Sequence, residues 1–465
     1  MSLLRKKSIA SMLQEKQSAG AGAGGMKKEL GVFDLAMLGI GCIVGTGIFV
    51  LTGVAAAQHA GPGLILSFLL AGIVCAFCAL CYAEFASMVP VTGSAYTYSY
   101  ATFGELIAWI LGWDMILEYG FAASMVASGW SGYFQGLMAG MGITLPTALS
   151  SAFDPANGTY IDVPAILIVL VLTLIVSRGS KESSRLNSIM VLVKIAVILL
   201  FIVVGAFYVK PGNWTPFMPF GFSGVVTGAA TAFLSYIGFD AVATAAEEVK
   251  NPQRDLPRGI LWSLVVCSLL YVLVTAVLTG IVPYDQLNVK NPVAFALQYI
   301  NQNWVAGFIS LGAIVGITTV LFVLLFSQSR LLYAIGRDGL LPKPLARLHS
   351  KTGVPAVSTW VTGVVVAIFA GLIPLRKLAD LVSIGTLFAF ISVSLGIILL
   401  RKSRPDLNRS FRVPLVPWIP LLAVLTCGYL LISLPAVTWI AFLIWMGIGL
   451  LVYFAYGYKH SGLSK

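Results

Sequence analysis

Apolar runs of about 20 residues recur along nearly the whole chain, each long enough to cross roughly 30 Å of hydrocarbon at about 1.5 Å of rise per residue. Twelve can be delimited, at residues 33 to 55, 62 to 86, 105 to 138, 162 to 178, 186 to 208, 222 to 246, 259 to 282, 305 to 328, 355 to 373, 378 to 400, 415 to 433 and 436 to 458. Lipid offers no partner to a backbone N–H or C=O, so such runs predict an all-α integral membrane protein with twelve transmembrane helices. A water-soluble core is excluded. Of 465 residues 58% are hydrophobic and only 10% charged, where a soluble domain carries roughly 25% charged residues.

Lys and Arg mark the cytoplasmic loops of a membrane protein. Of the 29 here, 24 fall before the first run, after the last, or in the loops sharing that face. Four (Lys210, Lys290, Arg376 and Lys377) fall in the opposite loops, and Lys194 lies inside the fifth run. The asymmetry predicts a multi-pass protein of the cell membrane with both termini cytoplasmic and a cytoplasmic segment over residues 1–32. The net charge of +11 then reads as topology plus attraction to anionic lipid headgroups, with no nucleic acid as partner. Beside Arg5, Lys6 and Lys7 no short apolar stretch ends in a small-residue cleavage site, so no cleaved signal peptide is expected. Ser18 to Gly25 reads as a flexible tail.

Runs one to five occupy residues 33–208 and runs six to ten residues 222–400, two blocks of nearly equal length. Five spans per block force the second to enter the membrane from the opposite face, the inverted-repeat plan of many secondary transporters. Runs eleven and twelve, residues 415–458, are then accessory. The first run of each block is interrupted. Run one holds Gly39, Gly41, Gly45, Gly47 and Gly53, each costing roughly 1 kcal/mol of helix propensity relative to alanine. Run six has its counterpart in Leu234-Ser235-Tyr236-Ile237-Gly238-Phe239-Asp240. Close helix packing accounts for some of these glycines; two interruptions at corresponding positions predict discontinuous helices 1 and 6.

A break at mid-membrane leaves backbone groups that a bound solute can satisfy. The half-helix starting at Thr46 and Gly47 presents N–H groups and a positive dipole end to a carboxylate. Carbonyls of Ile43, Leu234, Ser235 and Ile237 suit an ammonium group. Together they match the main-chain portion of an L-amino acid. A Cβ at Gly47 is expected to crowd the ligand and to restrict the φ angle of the break.

Four stretches carry a family resemblance: Gly39 to Gly53; Cys81-Tyr82-Ala83-Glu84-Phe85 running on to Pro90 and Gly93-Ser94-Ala95-Tyr96; Gly238-Phe239-Asp240; and Glu247-Glu248-Val249-Lys250-Asn251-Pro252 with Pro257-Arg258-Gly259. In these the chain resembles the amino acid-polyamine-organocation superfamily, and within it the bacterial relatives of the cationic amino acid transporters. The resemblance covers nearly the whole chain. It implies the five-plus-five inverted-repeat fold, the carboxylate on Thr46 and Gly47, and the amino group on Ile43, Leu234, Ser235 and Ile237. It also places Leu234 where an aromatic residue often gates the site, and Lys194 where sodium-coupled relatives bind an ion. Mammalian cationic members are usually described with fourteen spans, so their substrate range does not transfer to a chain with twelve.

Lys194 lies roughly 12 Å from the cytoplasmic end of its span, beyond the about 6 Å reach of a lysine side chain. An ionisable group at that depth is functional by default. Glu118 falls near mid-bilayer in the third span and Asp240 just inside the sixth-span break, and the resemblance gives related transporters an acid at that second position. These three are the candidates for proton coupling; Glu84 and Asp114 read as structural.

All six cysteines, Cys42, Cys75, Cys78, Cys81, Cys267 and Cys427, sit within runs and read as helix-packing residues, so neither metal nor cofactor is expected. His59, His349 and His460 fall in loops or tails, and no nucleophile stands near a base, so no enzyme is expected. In the eighth run Ile317, Thr318, Thr319, Val320, Leu321 and Leu324 are mostly bulky and apolar, favouring small neutral side chains such as that of alanine. The reading is proton-coupled symport of L-amino acids by alternating access. A cationic amino acid transporter or an exchanger stays open, as does a sensor that binds without transporting.

Overall fold

A computed structural model describes residues 5, 30–89, 94–178, 183–289, 291–349, 353–405, 407 and 409–462. Pro90 and Gly93 of the second motif, Lys290 and the Ser18 to Gly25 tail lie outside the described residues. Twelve α-helices of twelve residues or more lie on the twelve apolar runs: α1 Val32–Ile43, α2 Leu64–Met88, α3 Glu105–Gly140, α4 Val163–Arg178, α5 Ser183–Ala206, α6 Gly221–Phe233, α7 Pro252–Ile281, α8 Asn303–Arg337, α9 Ala356–Leu372, α10 Leu375–Ser403, α11 Trp418–Ile432 and α12 Ala436–Val452. Among the described residues no strand forms, only three isolated bridges. Among the described residues eight helical stretches are long and apolar enough to cross a membrane, the first of them carrying both α1 and α2 within Val32–Met88. α4, α9 and α11 are apolar and shorter.

The bundle is organised around α1, which packs against α7, α5, α8 and the helical turn segment Phe239–Glu248. Small residues permit this closeness, as is usual where lipid supplies no hydrophobic drive between helices. A Cβ added at Gly39 of α1 would lie 2.5 Å from Ser263 Oγ of α7, and one at Gly259 of α7 would lie 2.6 Å from Leu35 Cβ of α1. α11 leans on α10 and α2, and α12 on α10 and α3. The outward surfaces of α5, α9, α11 and α12 are apolar, with Val193, Ile368, Leu425 and Leu443 exposed. Glu84, Glu105, Asp114, Glu118, Lys194 and Asp240 are all buried. Polar groups inside and aliphatic ones outside is the distribution a lipid solvent selects.

Two polar knots fasten the end of the bundle where both described chain ends meet. Glu84 of α2 takes two bonds from Arg401 of α10, at 3.0 and 2.6 Å, one from the Val413 amide at 2.7 Å, and the Arg409 guanidinium at 3.3 Å. Glu105 accepts from the hydroxyls of Tyr100, Tyr453 and Ser461 at 3.1, 2.9 and 2.5 Å, and its amide donates to the Arg5 carbonyl at 2.9 Å. Close by in sequence to the Asn-Pro signature, Val249 bridges to Leu30 in parallel, with the Lys250 amide donating to Leu30 O at 3.0 Å. The chain entering α1 is thereby tied, backbone to backbone, to the chain leaving the Phe239–Glu248 segment.

Candidate functional site at the two helix breaks

α1 ends at Ile43; Val44 is extended, with ψ 99°, and a wide helical turn resumes over Gly47–Leu51. Ile48 and Phe49 both donate to the Gly45 carbonyl at 3.2 Å. Thr46 and Gly47 therefore head the second half, where the first N–H groups of a helix lack partners within it. The other break follows the same sequence of events. α6 ends at Phe233, a tight turn covers Leu234–Tyr236, Ile237 is extended with ψ 136°, and Gly238 takes φ +122° before Phe239–Glu248. That φ strains any L side chain, and a Cβ there would also lie 2.7 Å from Cys42 Sγ.

The two breaks touch each other. A Cβ at Gly47 would lie 2.5 Å from Ser235 Cα, and one at Gly45 would lie 2.6 Å from Val320 Cγ2 of α8. The need for glycine at position 47 includes a close approach between the breaks, and the expectation that a special φ sets it is corrected, since the positive φ belongs to Gly238. Gly47→Ala is expected to force the breaks apart and weaken amino acid binding by about tenfold or more, as overpacking at a tight contact costs roughly 1–3 kcal/mol. Equilibrium binding to the purified variant in nanodiscs measures this, and an affinity within about threefold of wild type rules it out.

Of the carbonyls expected to meet an ammonium group, those of Ile43 and Ser235 converge on the hydroxyl of Tyr271 in α7, at 2.8 and 2.7 Å. Leu234 and Ile237 are half-buried beside them. The Ser235 hydroxyl is buried without a hydrogen-bond partner among the described residues. Sequence reasoning missed Tyr271. The available signal was a phenol deep in an otherwise aliphatic run, where tyrosine ordinarily collects at the membrane interfaces.

Lys194 reaches the first break from α5. Its Nζ donates to the carbonyls of Gly41 and Val44 at 2.7 and 2.9 Å and to Thr319 Oγ1 of α8 at 2.8 Å. Three acceptors match the three N–H donors of an ammonium, so the side chain ties α5, the α1 break and α8 together. Glu118 accepts from the Thr386 hydroxyl of α10 at 2.7 Å. Its neighbour Tyr119 donates to Asp240 Oδ2 at 2.6 Å, so the two acids are joined through adjacent residues of α3. Asp114, one turn before Glu118, is buried with no hydrogen-bond partner on either carboxyl oxygen among the described residues. The structural role expected of it has no bond to carry it. Lys194 is also not alone: α8 continues to Arg337 and takes Arg330 into the buried interior, its guanidinium over the Phe326 ring.

Residues 30–451 match the model of the family described as amino acid permease. The chain belongs to this family of the amino acid-polyamine-organocation superfamily. The permease is 53% identical to the methylthioribose transporter of Bacillus subtilis over 464 residues, covering 100% of both chains. It is 53% identical to the branched-chain amino acid permease BcaP of the same organism over 467 residues, covering 100% of this chain and 99% of the relative. Cationic amino acid transporter 4, vacuolar, of Arabidopsis thaliana is 38% identical over 411 residues, 87% of this chain and 68% of the relative. The permease is a membrane protein, as its helices and its family agree.

Proposed function

We propose that this permease imports neutral L-amino acids by proton-coupled symport, through alternating access around the paired helix breaks. The observation that carries the reading is the pairing itself. Thr46 and Gly47 head one half-helix within contact of Ser235 of the other break, and the carbonyls of Ile43 and Ser235 converge on one hydroxyl, so N–H donors and carbonyl acceptors lie side by side. On this reading the paired breaks take both charged groups of a zwitterion, the carboxylate on Thr46 and Gly47 and the amino group on the carbonyls of Ile43, Leu234, Ser235 and Ile237. The same reading takes all twelve helices as spans, residues 33–208 and 222–400 as inverted repeats, residues 415–458 as accessory helices, and both termini as cytoplasmic.

Leu234, half-buried at the turn, is assigned the gate, and Lys194, Asp240 and Glu118 the proton. Val320 against Gly45, with Ile317 and Leu321 buried on the same helix, favours an uncharged aliphatic side chain over a cationic one. The likeness to a branched-chain permease points the same way.

A second reading is favoured by the likeness to a methylthioribose transporter. Methylthioribose has neither carboxylate nor ammonium, so the break amides and carbonyls would meet hydroxyls and the aliphatic wall a thioether. One experiment separates the readings: competition of labelled alanine uptake in proteoliposomes by all twenty amino acids and by methylthioribose, at two external pH values. Neutral aliphatic amino acids are expected to compete best and uptake to rise at the lower pH. Competition by methylthioribose alone, or labelled alanine that is bound and never accumulated, sinks the first reading.

A further inference from the structure

Tyr271 holds a place that the proposed substrate needs. Its ring sits on α7, a helix continuous from Pro252 to Ile281, edge-on to Phe68 of α2 at 5.3 Å and to Tyr236 at 5.1 Å between ring centroids. The Tyr236 hydroxyl in turn donates to the Phe68 carbonyl at 2.9 Å. The phenol is therefore positioned by α7 and α2 together with Tyr236 of the second break. Its oxygen lies 2.8 Å from the Ile43 carbonyl at the end of α1 and 2.7 Å from the Ser235 carbonyl in the turn after α6. A phenol has one proton to give, so it satisfies these two acceptors one at a time. An ammonium group brings three donors to the same place. With an amine bound, its N–H donors satisfy both carbonyls, and the Tyr271 hydroxyl is no longer needed to bridge them.

We propose that Tyr271 is the stand-in for the substrate's ammonium, joining the two breaks when the permease is empty and so allowing the unloaded carrier to reorient. This rests on the amino acid reading above. It gives the residue a role in one half of the cycle only. The loaded carrier has the ammonium to join its breaks; the empty carrier has the phenol.

Tyr271→Phe keeps the ring and removes the donor. In liposomes preloaded with unlabelled alanine, exchange with external labelled alanine is expected to stay within about threefold of wild type. Into liposomes without internal alanine, net uptake driven by an inward proton gradient is expected to fall about tenfold or more, since an empty site with two buried unsatisfied carbonyls closes rarely. Exchange and net uptake falling by one common factor, or neither falling, overturns the proposal. Should Tyr271→Phe fail to fold, 4-aminophenylalanine at position 271 carries the test, because its two N–H donors reach both carbonyls. That variant is expected to retain net uptake, and exchange without net uptake would overturn the stand-in role. Wild-type liposomes that neither exchange nor accumulate any amino acid overturn the amino acid reading together with it; a failure of the Tyr271 pattern alone leaves that reading standing.

Discussion

Proteoliposomes carrying Lys194→Ala are expected to lose accumulation of labelled alanine against its gradient under an imposed inward proton gradient, while retaining part of their binding. The split follows from what each part of the site is made of. The carboxylate end of the proposed clamp is backbone, at Thr46 and Gly47, and needs no ionisable side chain. The link between α5, the α1 break and α8 is the Lys194 ammonium, with acceptors at 2.7, 2.9 and 2.8 Å. A neutral amine has one N–H fewer and cannot hold all three acceptors, so loss of a proton there loosens the α1 break from one neighbour. That is the change in packing that coupling requires. Lys194→Arg is the informative control: guanidinium stays charged at any usable pH and cannot fit three acceptors arranged for a single nitrogen, so it too should fail to couple. Uptake after a pH jump, without sodium, measures both variants. If Lys194→Ala accumulates as steeply with the gradient as wild type, Lys194 is a strut, and the proton role passes to Asp240 and Glu118.

Glu84→Ala is expected to cost about 3–5 kcal/mol of stability, because removing one partner of a buried pair strands the other. Arg409, whose side chain is 5% exposed, would lose its carboxylate, and the Val413 amide and the Arg401 fork would lose their acceptor. The knot joins α2, α10 and the chain leading to α11, so its loss frees the accessory helix from the core. Thermal unfolding of the purified variant in detergent, followed by monodispersity on size exclusion, should give an earlier transition and more aggregate than wild type. Glu84→Gln should fall between, keeping shape and one acceptor without the charge. A Glu84→Ala midpoint equal to wild type would mean the arginines find other partners.

The apolar runs located the helices well, because in lipid length and hydropathy decide which segments are helical. The breaks were legible for a related reason: Gly45-Thr46-Gly47 and Ile237-Gly238 weaken helix in the middle of two apolar runs. Lys194 announced itself as a charge inside an aliphatic stretch. What stayed hidden depends on which helices face one another. Tyr271 is one aromatic among many until α7 is laid against both breaks. The close approach of Ser235 to Gly47 was not legible, because the sequence does not say which segment lies opposite it. Tyr119 is next to Glu118 in the chain, yet its hydroxyl serves Asp240 on another segment. Arg330 escaped because hydropathy drops before the helix does, so α8 outruns its apolar window.

The pairing of Leu30 with Val249, and of the Lys250 amide with the Leu30 carbonyl, has an evolutionary side. A tether made only of main-chain atoms places no demand on side-chain identity at either residue, proline at 250 excepted, since that alone lacks the donor. Point mutation can drift through both positions while the mechanical link between the two broken helices is inherited intact. Relatives with very different substrates can therefore share this link, and diversify elsewhere without rebuilding it.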